Sequence, residues 1–428
     1  MPLASLAMDL TPLRGSRDFR LLFAGFAGAL IGTLMTGVAV AVQVYDLSGS
    51  PLHIGLTGLA RALPLVVGVL AGGVLADRVD RRRLLLATRP PLILAAGALA
   101  VNALLPEPQL WVIYVATGLT GLLAGLGGPA MLAAIPDLVG TGRLAAAGAL
   151  TAAATQLAAL LGPALGGVLI AGPGLAFCYA IDAVGLLAFS VALLFVRPLP
   201  PTRTGAGAGA GPGTGRDLRQ AFGAVAAGLR FVRGHRLIVG LLLIDAAAMV
   251  FTMPQALYPV LADEQFGGGP GIVGLLYAAP AFGALVGAAT SGWTRRAGGH
   301  VLVAAVSLWG LSLTGFGATS FLPLALLLLA LAGLGDLISE TLRSALLQHS
   351  TPRSLRGRVS SLWMVQATVS PALGNASMGL LAEFTGARAA VITGGLVCVA
   401  ATLVVAAAFP ALRHASLTGP AAEEAPRP

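Results

Sequence analysis

The stretch VLVAAVSLWGLSLTGFGATSFLPLALLLLALAGLG, residues 301–335, contains no charged side chain. A helix needs about 20 apolar residues to cross the hydrocarbon core of a bilayer, so this stretch is long enough to cross and turn back. Similar blocks fill most of the chain, which is 57% hydrophobic and 10% charged, with a mean hydropathy of +0.88. Soluble domains carry about 25% charged residues. The sequence therefore predicts an integral membrane protein.

Apolar segments recur along the whole chain and predict an all-α fold of twelve transmembrane helices. The predicted segments are residues 19–45, 52–76, 84–105, 109–134, 144–171, 174–196, 237–262, 270–293, 300–318, 320–342, 359–384 and 387–410. One long polar stretch, rich in proline and glycine, separates the sixth segment from the seventh and predicts a linker. The predicted parts are an N-terminal six-helix half (1–196), a cytoplasmic linker (197–236), a C-terminal six-helix half (237–412) and a disordered tail (413–428).

The positions of the basic residues predict the orientation. All 26 basic residues are arginines, and all except Arg61 and Arg388 fall on one side if the helices simply alternate. Cytoplasmic loops are the ones enriched in basic residues. Both termini are therefore expected in the cytoplasm, in a bacterial cytoplasmic membrane. The same arrangement accounts for the net charge of +9 without nucleic acid as a partner.

Two related strings indicate that the halves arose by duplication. Gly162-Pro163-Ala164-Leu165-Gly166-Gly167 lies in the fifth predicted helix, and Ser370-Pro371-Ala372-Leu373-Gly374-Asn375 lies in the eleventh. A weaker pair relates residues 73–82 to residues 287–296. Both pairs lie about half a chain length apart, as internal repeats of transporters do.

The loop after the second helix resembles a signature of the major facilitator superfamily. Its string is Gly73-Val74-Leu75-Ala76-Asp77-Arg78-Val79-Asp80-Arg81-Arg82-Arg83, with Asp80 where many members have glycine. The motif Gly162-Pro163-x-x-Gly166-Gly167 resembles that of antiporter branches, although Ala153 replaces an upstream glycine. The resemblance implies an alternating-access transporter with its substrate site between two halves.

Further strings resemble the branch of that superfamily that exports catechol siderophores such as enterobactin. They include residues 101–108, 134–140, 258–263, 276–279, 290–292 and 357–359. The resemblance implies export of a small molecule across the cytoplasmic membrane, with proton influx as the energy source. A macrolide or multidrug exporter of the same superfamily is the alternative. An enzyme is not expected, because the five histidines and two cysteines are scattered, and neither a metal nor a cofactor is predicted.

Eight residues are predicted to act in gating. A carboxylate beside arginines at the end of the second helix can form pairs that exist in only one of two conformations. Small residues let helices approach closely in lipid, and a proline kinks a helix, so the fifth helix is expected to rock against the eleventh. The gating candidates are Asp77, Arg78, Arg81, Arg82, Gly162, Pro163, Gly166 and Gly167.

Charged and aromatic side chains inside the predicted helices are candidates for binding substrate or protons. A charge costs at least about 2.5–3.5 kcal/mol at the centre of a membrane helix, so each one needs a partner or a cavity. For Asp336 and Glu340, the sequence also allows a structural role, in which Glu340 pairs locally with Arg343. The candidates are Gln43, Asp46, Arg61, Asp245, Tyr258, Asp336, Glu340, Trp363 and Gln366. The protein is expected to be a monomer, and its expected partners are a small-molecule substrate and lipid.

Overall fold

A computed structural model describes residues 9–200, 232, 234–290 and 297–416. The described chain is helical, with an isolated β-bridge between Gly298 and Ser416. The first six long helices are α1 (Arg17–Ser48), α2 (Pro51–Arg78), α3 (Arg81–Leu104), α4 (Leu110–Val139), α5 (Leu144–Ala171) and α6 (Leu175–Leu194). The remaining helices are α7a (Arg236–Phe251), α7b (Tyr258–Glu264), α8 (Pro270–Thr290), α9 (Gly299–Ala318), α10 (Leu322–His349), α11 (Arg353–Thr385) and α12 (Ala387–Ala408).

The helices have the length and apolar character of membrane spans. Eleven segments in the described part of the chain are long enough and apolar enough to cross a membrane, and α7a and α7b together form one of them. The remaining long helix, α11, has 33 residues but is less apolar. Because a helix satisfies its own backbone hydrogen bonds, it is the form in which such a chain crosses lipid. The prediction of twelve helices is confirmed, whereas the linker at 201–231 and the tail beyond Ser416 lie outside the described residues.

The chain divides into two compact units. Unit 1 comprises Met1–Leu47 and Ala60–Gly207, and unit 2 comprises Ser48–Leu59 and Ala208–Pro428. The start of α2 groups with unit 2, where Ser50 Oγ donates a hydrogen bond to Glu383 and the backbone of Pro51 lies against Gly379. This grouping differs from the predicted boundary at residue 196, which assigned all of α2 to the first half.

Glycines set the close approach of helices in both units. In unit 1, a Cβ added to Gly125 of α4 would lie 2.3 Å from the carbonyl oxygen of Leu65 on α2. In unit 2, a Cβ added to Gly333 of α10 would lie 2.0 Å from the carbonyl oxygen of Pro280 on α8. Since burial of apolar surface drives little association within lipid, such close backbone packing is what holds neighbouring helices together.

The seventh helix is broken around Pro254 and Pro259, and side chains of neighbouring helices bind backbone carbonyls at the break. Proline has no N–H to donate to the carbonyl four residues earlier. The carbonyl of Val250, four residues before Pro254, accepts a hydrogen bond from Ser377 Oγ at 2.9 Å. The carbonyl of Gln255, four residues before Pro259, accepts one from the Tyr277 hydroxyl at 2.9 Å.

An amide on α11 completes this arrangement. Asn375 Oδ1 accepts a hydrogen bond from the backbone N–H of Ala256 at 2.9 Å, between α7a and α7b. The break is therefore held by side chains of α8 and α11.

Candidate functional site

A buried ion pair in unit 2 joins α7a to α10. Arg343 Nη1 contacts Asp245 Oδ1, and the two side chains are 3% and 4% exposed. The other oxygen of Asp245 accepts a hydrogen bond from Gln366 Nε2 at 2.8 Å. Gln366 Nε2 also donates to the carbonyl of Leu242 at 2.8 Å. Because a buried charge requires a partner and hydrogen bonds, this arrangement accounts for the presence of Asp245 inside a membrane helix.

A second carboxylate lies beside this pair. Asp336 Oδ1 is 3.9 Å from Arg343 Nη2, and the Asp336 side chain is 33% exposed. Its Oδ1 atom is buried and accepts no hydrogen bond from a described residue. One buried arginine is therefore shared unequally between two carboxylates.

One prediction about this region was wrong, and one of the two alternatives that the sequence left open for Glu340 is not observed. The sequence placed Arg343 in the loop after the tenth helix, but α10 continues to His349 and buries Arg343. A local pair between Glu340 and Arg343 does not form, because Arg343 turns towards Asp245 and Glu340 is exposed. Asp336 and Arg343 are separated by two helical turns and so share a face of α10. That spacing was the one signal in the sequence that could have identified Arg343.

A second buried carboxylate lies in unit 1. Asp182 of α6 is 4% exposed. It accepts hydrogen bonds from Thr36 Oγ1 at 2.9 Å and from Thr33 Oγ1 at 3.4 Å, both on α1. The charge of Asp182 also acts on Arg61 of α2. Arg61 is half-buried, and among the described residues no hydrogen bond or ion pair to its side chain is found.

The polar residues predicted near the end of α1 lie in different surroundings. Gln43 is 2% exposed, and its Oε1 accepts a hydrogen bond from the Tyr179 hydroxyl of α6 at 2.7 Å. Gln43 Nε2 is buried without a partner among the described residues. Asp46, three residues on, is exposed. In this conformation Gln43 lies within the packing of unit 1, and its role in binding stays a prediction.

Aromatic side chains surround Tyr258 at the start of α7b. Its ring meets that of Tyr277 edge-on, with 4.9 Å between centroids, and that of Phe316 at 6.1 Å. Tyr258 is 2% exposed. Trp363 of α11 is half-buried, one turn before Gln366. The structure therefore brings Gln366, Asp245 and Asp336 together and leaves Tyr258 in a separate aromatic cluster.

The predicted gating arginines at the start of α3 contact two other helices of unit 1. Arg81 pairs with Asp137 of α4 and also donates to the carbonyl of Ala133. Arg82 donates to the carbonyls of Leu193 and Leu194 at the end of α6. These bonds tie α3 to α4 and α6 within unit 1. Asp137 was not among the predicted site residues.

The predicted pairing of Asp77 with neighbouring arginines is absent from this conformation. Asp77 is exposed and forms no ion pair with a described residue, because Arg81 and Arg82 are turned towards α4 and α6. Arg78 is also exposed. Asp80, at the position where many superfamily members have glycine, accepts a hydrogen bond from the backbone N–H of Arg83 at 3.0 Å and caps α3. The second-half copy of the loop, 291–296, lies outside the described residues.

The glycine motif of α5 packs against α1. Gly162, Pro163, Gly166 and Gly167 are all buried. A Cβ added to Gly162 would lie 2.8 Å from Leu34 Cβ, and one added to Gly166 would lie 3.2 Å from Met35 Cγ. This packing lies inside unit 1, so the predicted contact with α11 stays a prediction.

The related string of α11 packs in the same way in unit 2. A Cβ added to Gly374 would lie 2.1 Å from the carbonyl oxygen of Met249 on α7a. Gly374 is the counterpart of Gly166 in the aligned strings. The string of α5 therefore packs against α1, and the string of α11 packs against α7a.

No group of three or more histidine, cysteine, aspartate or glutamate side chains in the described ranges is arranged to hold a metal ion. Cys178 and Cys398 are both buried free thiols.

Comparisons with known proteins relate almost the whole chain to transporters. Residues 7–424 match the family model described as transmembrane secretion effector. The enterobactin exporter EntS of Citrobacter koseri is 34% identical over 404 residues, which cover 94% of each chain. The enterobactin exporter EntS of Escherichia coli K12 is 33% identical over 421 residues, which cover 97% of each chain.

Solved structures with the same fold are more distant in sequence. A POT family transporter crystallised with 5-aminolevulinic acid aligns with a TM-score of 0.72 and 15% identity, covering 93% of this chain and 97% of the other. The human organic anion transporter MFSD10 aligns with a TM-score of 0.62 and 16% identity, covering 91% and 99%. At these identities the likeness establishes the fold alone.

Proposed function

The chain belongs to the transmembrane secretion effector family of the major facilitator superfamily, and from this membership we propose that it exports a catechol siderophore of the enterobactin type. One observation carries the proposal: relatives named as enterobactin exporters are 33–34% identical over 94–97% of the chain. The match covers both units, so the shared sequence includes the helices that a transporter uses to bind and release its substrate.

We place the protein in the bacterial cytoplasmic membrane, with both termini in the cytoplasm. The support is the distribution of the arginines, since basic loops remain on the cytoplasmic side. In this orientation the siderophore enters from the cytoplasm and leaves on the outer side, chemically unchanged, through a protein acting as a monomer.

Alternating access is the proposed mechanism, and the loop after α2 is its proposed gate. Asp77 is exposed without an ion pair to a described residue, while Arg81 and Arg82 are bound inside unit 1. A pair that Asp77 forms only in the other conformation would bias the equilibrium between the two states. The glycine motif of α5 would preserve the packing of unit 1 while the unit moves.

Arg61 is the proposed contact for the acidic substrate. It carries a positive charge inside α2, is half-buried, and has no hydrogen bond or ion pair to another described residue. Asp182, which accepts hydrogen bonds from Thr33 and Thr36, acts on Arg61 through its charge without forming an ion pair with it. A catecholate oxygen could therefore bind the guanidinium through charge-assisted hydrogen bonds.

Proton influx is the proposed energy source. Each elementary charge moved inwards gains about 2.3 kcal/mol per 100 mV of membrane potential. The acidic side chains inside the membrane helices of unit 2 are the candidates for carrying that proton.

The test uses iron-starved bacteria that synthesise enterobactin but have lost their own exporter. Expression of this chain should restore intact enterobactin in the medium and reduce its accumulation in the cells. An Arg61→Gln variant present at equal abundance should restore less, and Arg236→Gln, which alters an exposed arginine, should restore as much as the wild type. Failure of the wild-type chain to restore export, together with a gain of macrolide resistance, would assign it to drug efflux.

A further inference from the structure

The cluster of charges in unit 2 is unbalanced. Asp245, Asp336 and Arg343 lie together, so two carboxylates share one guanidinium. If both carboxylates were ionised, the cluster would hold a net negative charge in a medium of low dielectric constant, where uncompensated charge is costly. A single proton bound to the cluster removes that charge.

The hydrogen bonds distinguish the two carboxylates. Asp245 Oδ1 is in ion-pair contact with Arg343 Nη1, and its Oδ2 accepts a hydrogen bond from Gln366 Nε2 at 2.8 Å. Asp336 has only the longer contact of 3.9 Å with Arg343, and its buried Oδ1 accepts no hydrogen bond from a described residue. Asp245 thus has a close partner for each of its oxygens, whereas Asp336 has a single distant one.

The two carboxylates, Asp245 and Asp336, also differ in how far their side chains are exposed. The side chain of Asp245 is 4% exposed and that of Asp336 is 33% exposed. Asp336 is therefore partly open to its surroundings, whereas Asp245 is enclosed by α7a, α10 and α11.

The surrounding helices contribute few other titratable groups. Glu340 lies one turn further along α10 and is exposed, and the Cys398 thiol of α12 lies within electrostatic range of Arg343. On α8 the titratable side chain is Tyr277, which is bonded to the carbonyl of Gln255 at the break of α7. On α9 the titratable side chain is His300, which is exposed and packs against His414.

We propose that Asp336 is the site at which the coupling proton binds, and that Arg343 exchanges between Asp245 and Asp336 as that proton is released and taken up. This inference rests on the proposed function, because it identifies the carrier for the proposed proton influx. With Asp336 protonated the cluster is neutral, and Arg343 keeps the closer of its two contacts with Asp245, the arrangement found in the structure. When Asp336 loses its proton to the cytoplasm, its carboxylate attracts Arg343 and weakens the bond between α7a and α10.

Infrared difference spectroscopy tests the protonation of Asp336 without any substrate. Purified protein should show the C=O stretch of a buried protonated carboxylic acid, and this band should disappear as the pH is raised. The band should be absent from Asp336→Asn and present in Asp336→Glu. It should be unchanged in Asp263→Asn, which alters an exposed carboxylate at the end of α7b. A band that persists in Asp336→Asn, or is missing from the wild type, would overturn the assignment.

Transport by reconstituted protein, with enterobactin as the probe, then separates the inference from the proposed function. If a proton gradient does not drive wild-type export, proton coupling itself fails. If it drives wild-type export and drives Asp336→Asn equally well, Asp336 is not the carrier. The expected result is that Asp336→Asn loses the response to the gradient but still exchanges external for internal enterobactin. Such exchange also shows that the variant is folded, because Arg343 keeps its partner Asp245.

Discussion

At the scale of single residues, Arg343 shows how strongly burial constrains a membrane protein. Its side chain is 3% exposed, and Asp245 provides the opposite charge from another helix. The sequence indicated that Asp245 needed a partner, because it lies deep in an apolar helix without a charged neighbour on its own helix. It could not indicate which partner, because Arg343 is almost a hundred positions away and lies beside a cluster of loop arginines.

Removal of either member of this pair should destabilise the protein more than removal of both. Arg343→Gln leaves the buried Asp245 carboxylate without its counter-charge and should cost about 3–5 kcal/mol. Asp245→Asn should cost less, because the Asp336 carboxylate remains beside Arg343. The double variant should recover a large part of that loss. Apparent melting temperatures in detergent measure the effect, and Arg236→Gln, at an exposed arginine, serves as the control. A double variant less stable than both single variants would show that the pair is not a unit.

At the scale of helices, the broken seventh helix shows which features the sequence can provide. Pro254 and Pro259 mark the break in the sequence, since each proline lacks the N–H that would bond to the carbonyl four residues earlier. The partners were beyond prediction: Ser377 on α11 and Tyr277 on α8 reach those carbonyls only once the helices are packed. The position of a helix break can thus be predicted from the prolines in the sequence. The side chains that hydrogen-bond to the backbone at the break can be identified only from the folded structure.

Ser377→Ala should destabilise the protein, whereas Ser190→Ala should not. Both serines donate to a backbone carbonyl, Ser377 to Val250 at 2.9 Å and Ser190 to Leu186 at 2.8 Å. Pro254 leaves Val250 without a helical donor, so loss of the Ser377 hydroxyl exposes an unsatisfied group at a cost of about 1–3 kcal/mol. The carbonyl of Leu186 keeps the N–H of Ser190 itself. Equal melting temperatures for the two variants would contradict this assignment.

Alanine substitutions of three glycines should differ in proportion to the space around each one. A Cβ at Gly374 would lie 2.1 Å from a backbone oxygen, one at Gly166 would lie 3.2 Å from a side-chain carbon, and one at Gly148 would meet nothing within 4 Å. Gly374→Ala should therefore cost at least about 1–3 kcal/mol. Gly166→Ala should cost less, and Gly148→Ala should be neutral or stabilising by up to about 1 kcal/mol. Yield and melting temperature of the three variants measure the order, and any other order would argue against backbone packing as the cause.

At the scale of the whole molecule, composition and hydropathy determined the fold class, and most predicted helix boundaries agree with the structure within a few residues. The largest discrepancy is the end of α10, predicted at residue 342 and found at His349. Arg343, followed by the polar Gln348 and His349, made that segment look like a loop. The orientation in the membrane, by contrast, depends on loop charges alone.

Two single-cysteine variants should report that orientation. Val79, between α2 and α3, and Glu107, between α3 and α4, are both exposed, and the native cysteines are buried. A membrane-impermeant maleimide should label Glu107→Cys in intact cells but label Val79→Cys only after permeabilisation. The reverse pattern would place the termini outside and make the proposed direction of transport wrong.

Siderophore export is tested most directly by uptake of enterobactin into everted vesicles of the cytoplasmic membrane, in which an exporter pumps inwards. Vesicles containing this protein should accumulate enterobactin when energised, and a protonophore should abolish the accumulation. Vesicles with the Arg61→Gln variant at equal abundance should accumulate less. Accumulation no greater than in vesicles lacking the protein would contradict siderophore export, although the membrane fold and the family would stand.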